Sequence, residues 1–135
     1  MKPNQPSELF PVSWDSYATL VDELVFKINR TGRPFERIYG IPRGGLVLGV
    51  MLSHRLRKPL ELSKFLPYTT RETCLIADDI VDSGKAMKYY IEHNWFTASL
   101  FLRSDCPIKP TVYVNVVEDG KWVLFPYETT ESTRT

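Results

Sequence analysis

The sequence predicts an α/β fold: a mostly parallel central sheet flanked by helices, with a β-rich carboxyl end. Short apolar runs rich in β-branched and aromatic residues alternate with stretches of helical periodicity, the pattern of strand-helix-strand units. Two of those runs pass directly into glycine turns, at Pro42-Arg43-Gly44-Gly45 and at Asp82-Ser83-Gly84, and the last third of the chain is strand-like. At 135 residues the chain suits one compact domain, residues 1–135, large enough for a proper core and too small for two.

Residues 1–12 are proline-rich and read as irregular. Ser13 stands at a helix N-cap position, and Tyr17, Leu20, Val21, Leu24, Val25 and Ile28 follow at the spacing of one buried helical face. Gly32 and Pro34 supply the stop. Arg37 to Ile41 reads as a strand and Leu46 to Leu56 as a helix, with Pro42-Arg43-Gly44-Gly45 as the turn between them. Leu60 to Phe65 is predicted as a strand, and Pro67 to Glu72 as a loop leading to the apolar run Cys74-Leu75-Ile76-Ala77, too short for a helix and read as a buried parallel strand. Met87 to His93 is predicted as a helix that Asn94 terminates. Residues 98–102, 111–117 and 121–125 read as strands, Glu118-Asp119-Gly120 as a turn, and Thr129 to Thr135 as a frayed polar tail.

Seventeen Lys and Arg against sixteen Asp and Glu leave a formal charge of +1, so no basic field points to nucleic acid. Any phosphate affinity must be local. Cys74 and Cys106 form neither a disulfide framework nor a CxxC metal pair, which suits reduced thiols. No apolar run approaches membrane-spanning length, and Met1 to Pro6 lacks the apolar core of a signal peptide. A cytoplasmic protein without membrane partners is expected.

The chemistry concentrates in Asp78-Asp79-Ile80-Val81-Asp82-Ser83-Gly84-Lys85-Ala86, three carboxylates and a Ser-Gly turn at the end of a predicted strand. In open α/β sheets ligands bind at that edge, and a helix beginning there offers unpaired N–H groups to an anion. Carboxylates beside a phosphate are unfavourable unless they accept sugar hydroxyls or hold magnesium, so a phosphorylated sugar satisfies every group at once. A Walker A loop is excluded, because its first glycine position is Asp79 and its hydroxyl position is Ala86. A receiver-type acidic magnesium site would not need the Ser-Gly turn, and a solvated turn capping the next helix explains the stretch alone nearly as well. Arg43-Gly44-Gly45, by itself readable as a plain βα turn, shifts the balance: two anion cradles at one sheet edge suit a substrate with two phosphate groups.

The acid stretch resembles the phosphoribosyl pyrophosphate signature of type I phosphoribosyltransferases. Val12-Ser13-Trp14-Asp15, Pro42-Arg43-Gly44-Gly45-Leu46-Val47 and Trp122-Val123 before Phe125-Pro126-Tyr127 make it most similar to the xanthine-guanine (6-oxopurine) branch over nearly the whole chain. The resemblance implies that family's fold with a small carboxyl-terminal hood, and transfer of a 5-phosphoribosyl group from phosphoribosyl pyrophosphate to guanine, xanthine or hypoxanthine. It implies that Asp78 and Asp79 accept the ribose hydroxyls, with Mg2+ bridging sugar and diphosphate, and that Asp82 is the general acid/base beside purine N7. Main-chain N–H groups from Ser83, Gly84, Lys85 and Ala86 would cradle the 5′-phosphate. Arg43 and Gly44 would bind diphosphate through the family's non-proline cis peptide. Arg103 falls where the family places a lysine on the purine 6-oxo group, Trp122 would stack on the base, and the Val123 carbonyl would read its edge. For Trp122 a rim aromatic covering the core is an equal alternative. Relatives are dimers or tetramers, so a homo-oligomer is expected.

Three departures stand out. Ala86 replaces the usual threonine and Lys85 a glycine, Arg103 replaces the lysine, and the stretch between Gly45 and Asp78 lacks the length of the family's mobile lid. Tyr68, Thr69 and Arg71 are the remaining lid candidates. These departures motivate a second expectation, a non-catalytic sensor that binds the sugar diphosphate or a nucleotide.

Overall fold

The computed structural model describes residues 8–130. The expectations for residues 1–7 and for most of the polar tail lie outside that range. Five strands form the main sheet: β2 (Arg37–Gly40), β3 (Leu60–Glu61), β4 (Cys74–Val81), β5 (Phe96–Arg103) and β6 (Val112–Val117), in the spatial order β3-β2-β4-β5-β6. Every neighbouring pair is parallel. Helices α1 (Trp14–Arg30) and α2 (Gly44–Leu56) and the short α3 (Lys88–Glu92) complete the fold. Among the described residues no helix is long and apolar enough to cross a membrane.

Helix α1 starts where Ser13 caps it: the backbone is extended there, and Ser13 Oγ accepts the Ser16 N–H at 3.0 Å. Such a cap contributes about 1 kcal/mol. Asp15 in the first turn and Lys27 and Arg30 in the last complement the helix dipole. Tyr17, Leu20, Val21, Leu24 and Ile28 form the buried stripe. They meet Leu48 and Leu52 of α2 and the inward residues Ile38, Leu75, Ala77, Phe96, Ala98 and Leu100 of the sheet. The alternate strand residues, Tyr39, Cys74, Ile76 and Leu102, turn to the opposite face and pack with Met87, Trp95 and the α3 side chains Tyr90 and Ile91. Each fully buried side chain of this size contributes about 1.5–3 kcal/mol.

The structure departs from expectation in four places. Residues 8–11 are not irregular: β1 (Glu8–Pro11) pairs in parallel with β7 (Lys121–Leu124), so the hood joins both ends of the chain. Strand β3 is two residues long, and Leu62 and Phe65, read as strand from their apolar character, are 76 % and 81 % exposed. Strand β4 continues through Asp78 and Asp79 to Val81, because Ile80 and Val81 pair with Phe101 and Leu102 of β5. Helix α3 spans five residues and begins at Lys88, so Ser83 to Ala86 form a bend and turn rather than a helix start.

Chain order reverses between β2 and β4, with β3 to one side and β5 and β6 to the other. The carboxyl ends of β2 and β4 therefore flank the topological switch point, where open parallel sheets bind ligands.

Candidate active site

Strand β2 ends at Gly40 beside Ala77, and the Ile41 N–H extends the pairing to the Ala77 carbonyl at 2.9 Å. That register delivers the next residues, Pro42 and Arg43, to the acids of β4. A cis peptide joins Pro42 and Arg43. The two glycines that follow are required by close approach. A Cβ at Gly45 would stand 2.6 Å from the Ala77 carbonyl oxygen, and a Cβ at Gly44 would overlap the Asp79 carboxylate. The glycine turn is thus seated directly on Asp78 and Asp79.

Both acids are enclosed by their surroundings. Asp78 Oδ1 accepts the Asp79 backbone N–H at 2.9 Å, and burial, then the neighbouring Asp79 charge, raise the Asp78 carboxyl well above its ordinary value. Asp79 is 7 % exposed, and its Oδ2 accepts the hydroxyl of Tyr127. Burial foremost, then the Asp79 charge, raise the Tyr127 phenol above its ordinary ionisation range. The Tyr127 ring stacks parallel on Phe125 at 5.6 Å and meets buried Tyr17 edge-on at 5.9 Å. The hood ends in a closed turn in which Glu128 Oε1 accepts the Phe125 N–H and the Phe125 carbonyl accepts the Glu128 N–H, both at 3.0 Å.

One cleft of about 580 Å³ gathers most of the predicted residues: Arg43, Gly44, Asp78, Asp79, Asp82, Arg103, Trp122 and Val123 all line it. Ser83 lines the adjoining cavity, which shares Asp82, Arg103 and Trp122 with the first. Gly84, Lys85 and Ala86 line neither. There the Ser83 hydroxyl accepts the Lys85 N–H at 3.3 Å, and Gly84, at φ +90°, turns the chain against Ile108.

Arg103 carries its charge in a different arrangement from the one the resemblance implies. Its Nε donates to Asp82 Oδ1 at 3.0 Å, and its Nη1 donates to the carbonyls of Glu118 and Lys121 at 2.9 and 2.5 Å. It ties the acid loop to the hood. The lid candidates stand at the other end of the sheet. Tyr68 packs on His93, just before the amino end of β5, and Arg71 lies over Tyr68, just before the amino end of β4. They cannot cover a cleft at the carboxyl edge. Tyr127 and Glu128 also line the cleft and were not singled out as site residues, although Phe125-Pro126-Tyr127 was part of the sequence resemblance.

No family model matches the sequence. Among solved structures, the chain is similar to a purine phosphoribosyltransferase from Pyrococcus horikoshii Ot3, with a TM-score of 0.73 and 27% identity over 91% of this chain and 95% of that one. It shares its fold with the Helicobacter pylori xanthine-guanine-hypoxanthine phosphoribosyltransferase, at a TM-score of 0.71 and 21% identity over 92% of this chain and 96% of that one. It shares it also with a hypothetical protein from Neisseria gonorrhoeae with bound ppGpp, at 0.70 and 17% over 96% and 94%. With the parallel sheet order and the acid-bearing strand beside a glycine turn at its switch point, these likenesses show that the chain has the type I phosphoribosyltransferase fold.

Proposed function

We propose that the protein transfers the 5-phosphoribosyl group of phosphoribosyl pyrophosphate to a 6-oxopurine, giving a nucleoside monophosphate and diphosphate in purine salvage. The observation that carries this reading is the convergence of Arg43 and Gly44, Asp78 and Asp79, Asp82, and Trp122 and Val123 on one cleft at the switch point. Its named purine and xanthine-guanine-hypoxanthine neighbours support the acceptor class.

Diphosphate leaves ribose C1 through an oxocarbenium-like state, so the protein must hold charge on the leaving group and keep the base nitrogen in line. Arg43 and the Gly44 N–H serve the diphosphate. Asp78 and Asp79 serve the ribose hydroxyls. Asp82, half-exposed and oriented by Arg103, is placed to exchange a proton with purine N7. Trp122 stacks on the base, and the Val123 carbonyl accepts from its edge. Main-chain N–H groups of residues 83–86 take the 5′-phosphate.

The donor set fits magnesium. Among the described residues no group of three or more acidic, histidine or cysteine side chains could hold a metal, but magnesium characteristically takes one or two carboxylates and completes its shell with substrate phosphates and water. Asp78 and Asp79 would hold it, and a cation there would offset the Asp79 charge that, after burial, raises the Asp78 carboxyl. Bound there, magnesium would neutralise charge on the diphosphate.

The test is an assay of purified protein with phosphoribosyl pyrophosphate, magnesium and guanine, xanthine or hypoxanthine. Diphosphate release that requires the base is expected. The sensor reading is favoured by the placement of the lid candidates at the far end of the sheet, where they do not cover the cleft against water. Saturable binding of the sugar diphosphate without release in the same assay would select it.

A further inference from the structure

We infer that Tyr127 is a substrate-displaced cap: its hydroxyl holds the position on Asp79 that a sugar hydroxyl takes when the activated ribose binds. The inference rests on the proposed assignment of Asp79 to the ribose and adds the competitor for it. Asp79 is 7 % exposed, although it lines the cleft. Its Oδ2 lies against Gly44, where a Cβ would overlap it, and the same oxygen accepts the Tyr127 hydroxyl. A hydroxyl donor reaching that oxygen must replace the one already there. The phenol is a suitable stand-in, since it offers the carboxylate the same single O–H donor that a ribose hydroxyl offers.

The cap and its acceptor belong to different parts of the fold. Tyr127 follows β7 in the closed turn of residues 125–128, outside the main sheet, whereas Asp79 is fixed in the central strand β4. Departure of the hydroxyl leaves the ring its stacking on Phe125. The capped form stores an interaction that the ligand must replace, so the apparent affinity for the sugar diphosphate is lowered by the capped fraction. Removing the hydroxyl while keeping the ring removes the competitor.

The experiment compares wild type with Tyr127→Phe, measuring the Kd of phosphoribosyl pyrophosphate with magnesium by calorimetry and the melting temperature of the free proteins. A hydrogen bond to a charged acceptor corresponds to about a tenfold change in an equilibrium constant. The cap predicts a free variant that melts lower and binds the sugar diphosphate about tenfold more tightly. Equal or weaker binding by the variant, with wild type binding, overturns the cap and leaves the proposed function standing. No binding by either protein removes the proposed function and the cap with it. Should the variant not fold, acetylation of the Tyr127 hydroxyl in the wild type, mapped by peptide mass, decides. Acetylation increased by the sugar diphosphate supports displacement, and unchanged or reduced acetylation overturns it.

Discussion

Arg103 Nε donates to Asp82 Oδ1 at 3.0 Å, from a guanidinium side chain that is 9 % exposed to a carboxylate that is 51 % exposed. The pair joins the end of β5 to the loop after β4, and the same guanidinium holds the carbonyls of Glu118 and Lys121 at the start of the hood. Asp82 faces solvent, so the ion pair itself is screened and contributes little. The carbonyl bonds are the larger structural contribution. Arg103→Ala is therefore expected to destabilise the fold by about 2–4 kcal/mol through unpaired carbonyls and a lost buried side chain. Asp82→Ala should cost under about 1 kcal/mol. Urea unfolding of the two variants checks the asymmetry. Asp82→Asn preserves the shape and removes the proton acceptor, and turnover should fall by about 10²–10⁴. Full turnover in that variant would remove Asp82 from the chemistry.

Gly44→Ala tests the seating of the glycine turn on the acid strand. A methyl group there overlaps the Asp79 carboxylate, so either α2 shifts or Asp79 rotates away from Tyr127. Overpacking of this kind costs about 1–3 kcal/mol. Binding of phosphoribosyl pyrophosphate should weaken by at least about tenfold, since the displaced groups are the turn proposed for the diphosphate and the acid proposed for the ribose. A variant of wild-type stability and affinity would show that the turn does not need close approach.

How much of this was legible in the sequence follows from how local each cause is. Helix α1 and the first half of β4 are written in short-range pattern, a serine cap and an i, i+3, i+4 stripe in one, an apolar run in the other. Strand β1 was missed because its partner, Lys121–Leu124, lies at the opposite end of the chain and local composition cannot show it. The end of β4 was placed too early for a related reason. Asp78 and Asp79 read as the tip where the apolar strand ends, and only pairing of Ile80 and Val81 with β5 carries the strand past them. Apolar character misled at Leu62 and Phe65, whose exposure shows that β3 ends without a core to cover. In the site, the residue types proposed to bind phosphate and sugar are readable, and the partners they choose are not. That Arg103 faces Asp82 depends on the β4–β5 register, and that Tyr127 faces Asp79 depends on how the hood folds back.

Asp78 sets a stability cost that depends on pH. Burial and the Asp79 charge raise its carboxyl in the folded protein above the ordinary 3.8, so the native state holds the proton more tightly than the unfolded chain. Its contribution is most favourable below 3.8, and it is lost as pH rises from there through the raised native value, above which the charged carboxylate is a burden. Asp78→Asn should therefore stabilise the protein at neutral pH, with a gain over wild type that shrinks as pH falls. It should at the same time weaken magnesium-dependent binding of the sugar diphosphate. Urea midpoints of both proteins across a pH series provide the check, and parallel curves would mean that Asp78 feels no such cost.

Substitution of Trp122 tests whether base recognition is separate from sugar recognition. It sits on β7 opposite Leu9 of β1 and lines both the cleft and the adjoining cavity. If its ring stacks on the purine, Trp122→Ala should raise KM for the base by about tenfold or more, because base–aromatic stacking is worth about 1–3 kcal/mol. The Kd of phosphoribosyl pyrophosphate should stay unchanged, since Arg43, Asp78 and Asp79 are carried by β2, α2 and β4. Trp122→Phe retains an aromatic face and should recover most of the loss. A rim aromatic that only covers the core would behave otherwise: the alanine variant would melt lower while its KM for the base matched wild type. Steady-state kinetics with the base varied at saturating sugar diphosphate, beside melting curves of the same preparations, distinguish a stacking platform from a cover.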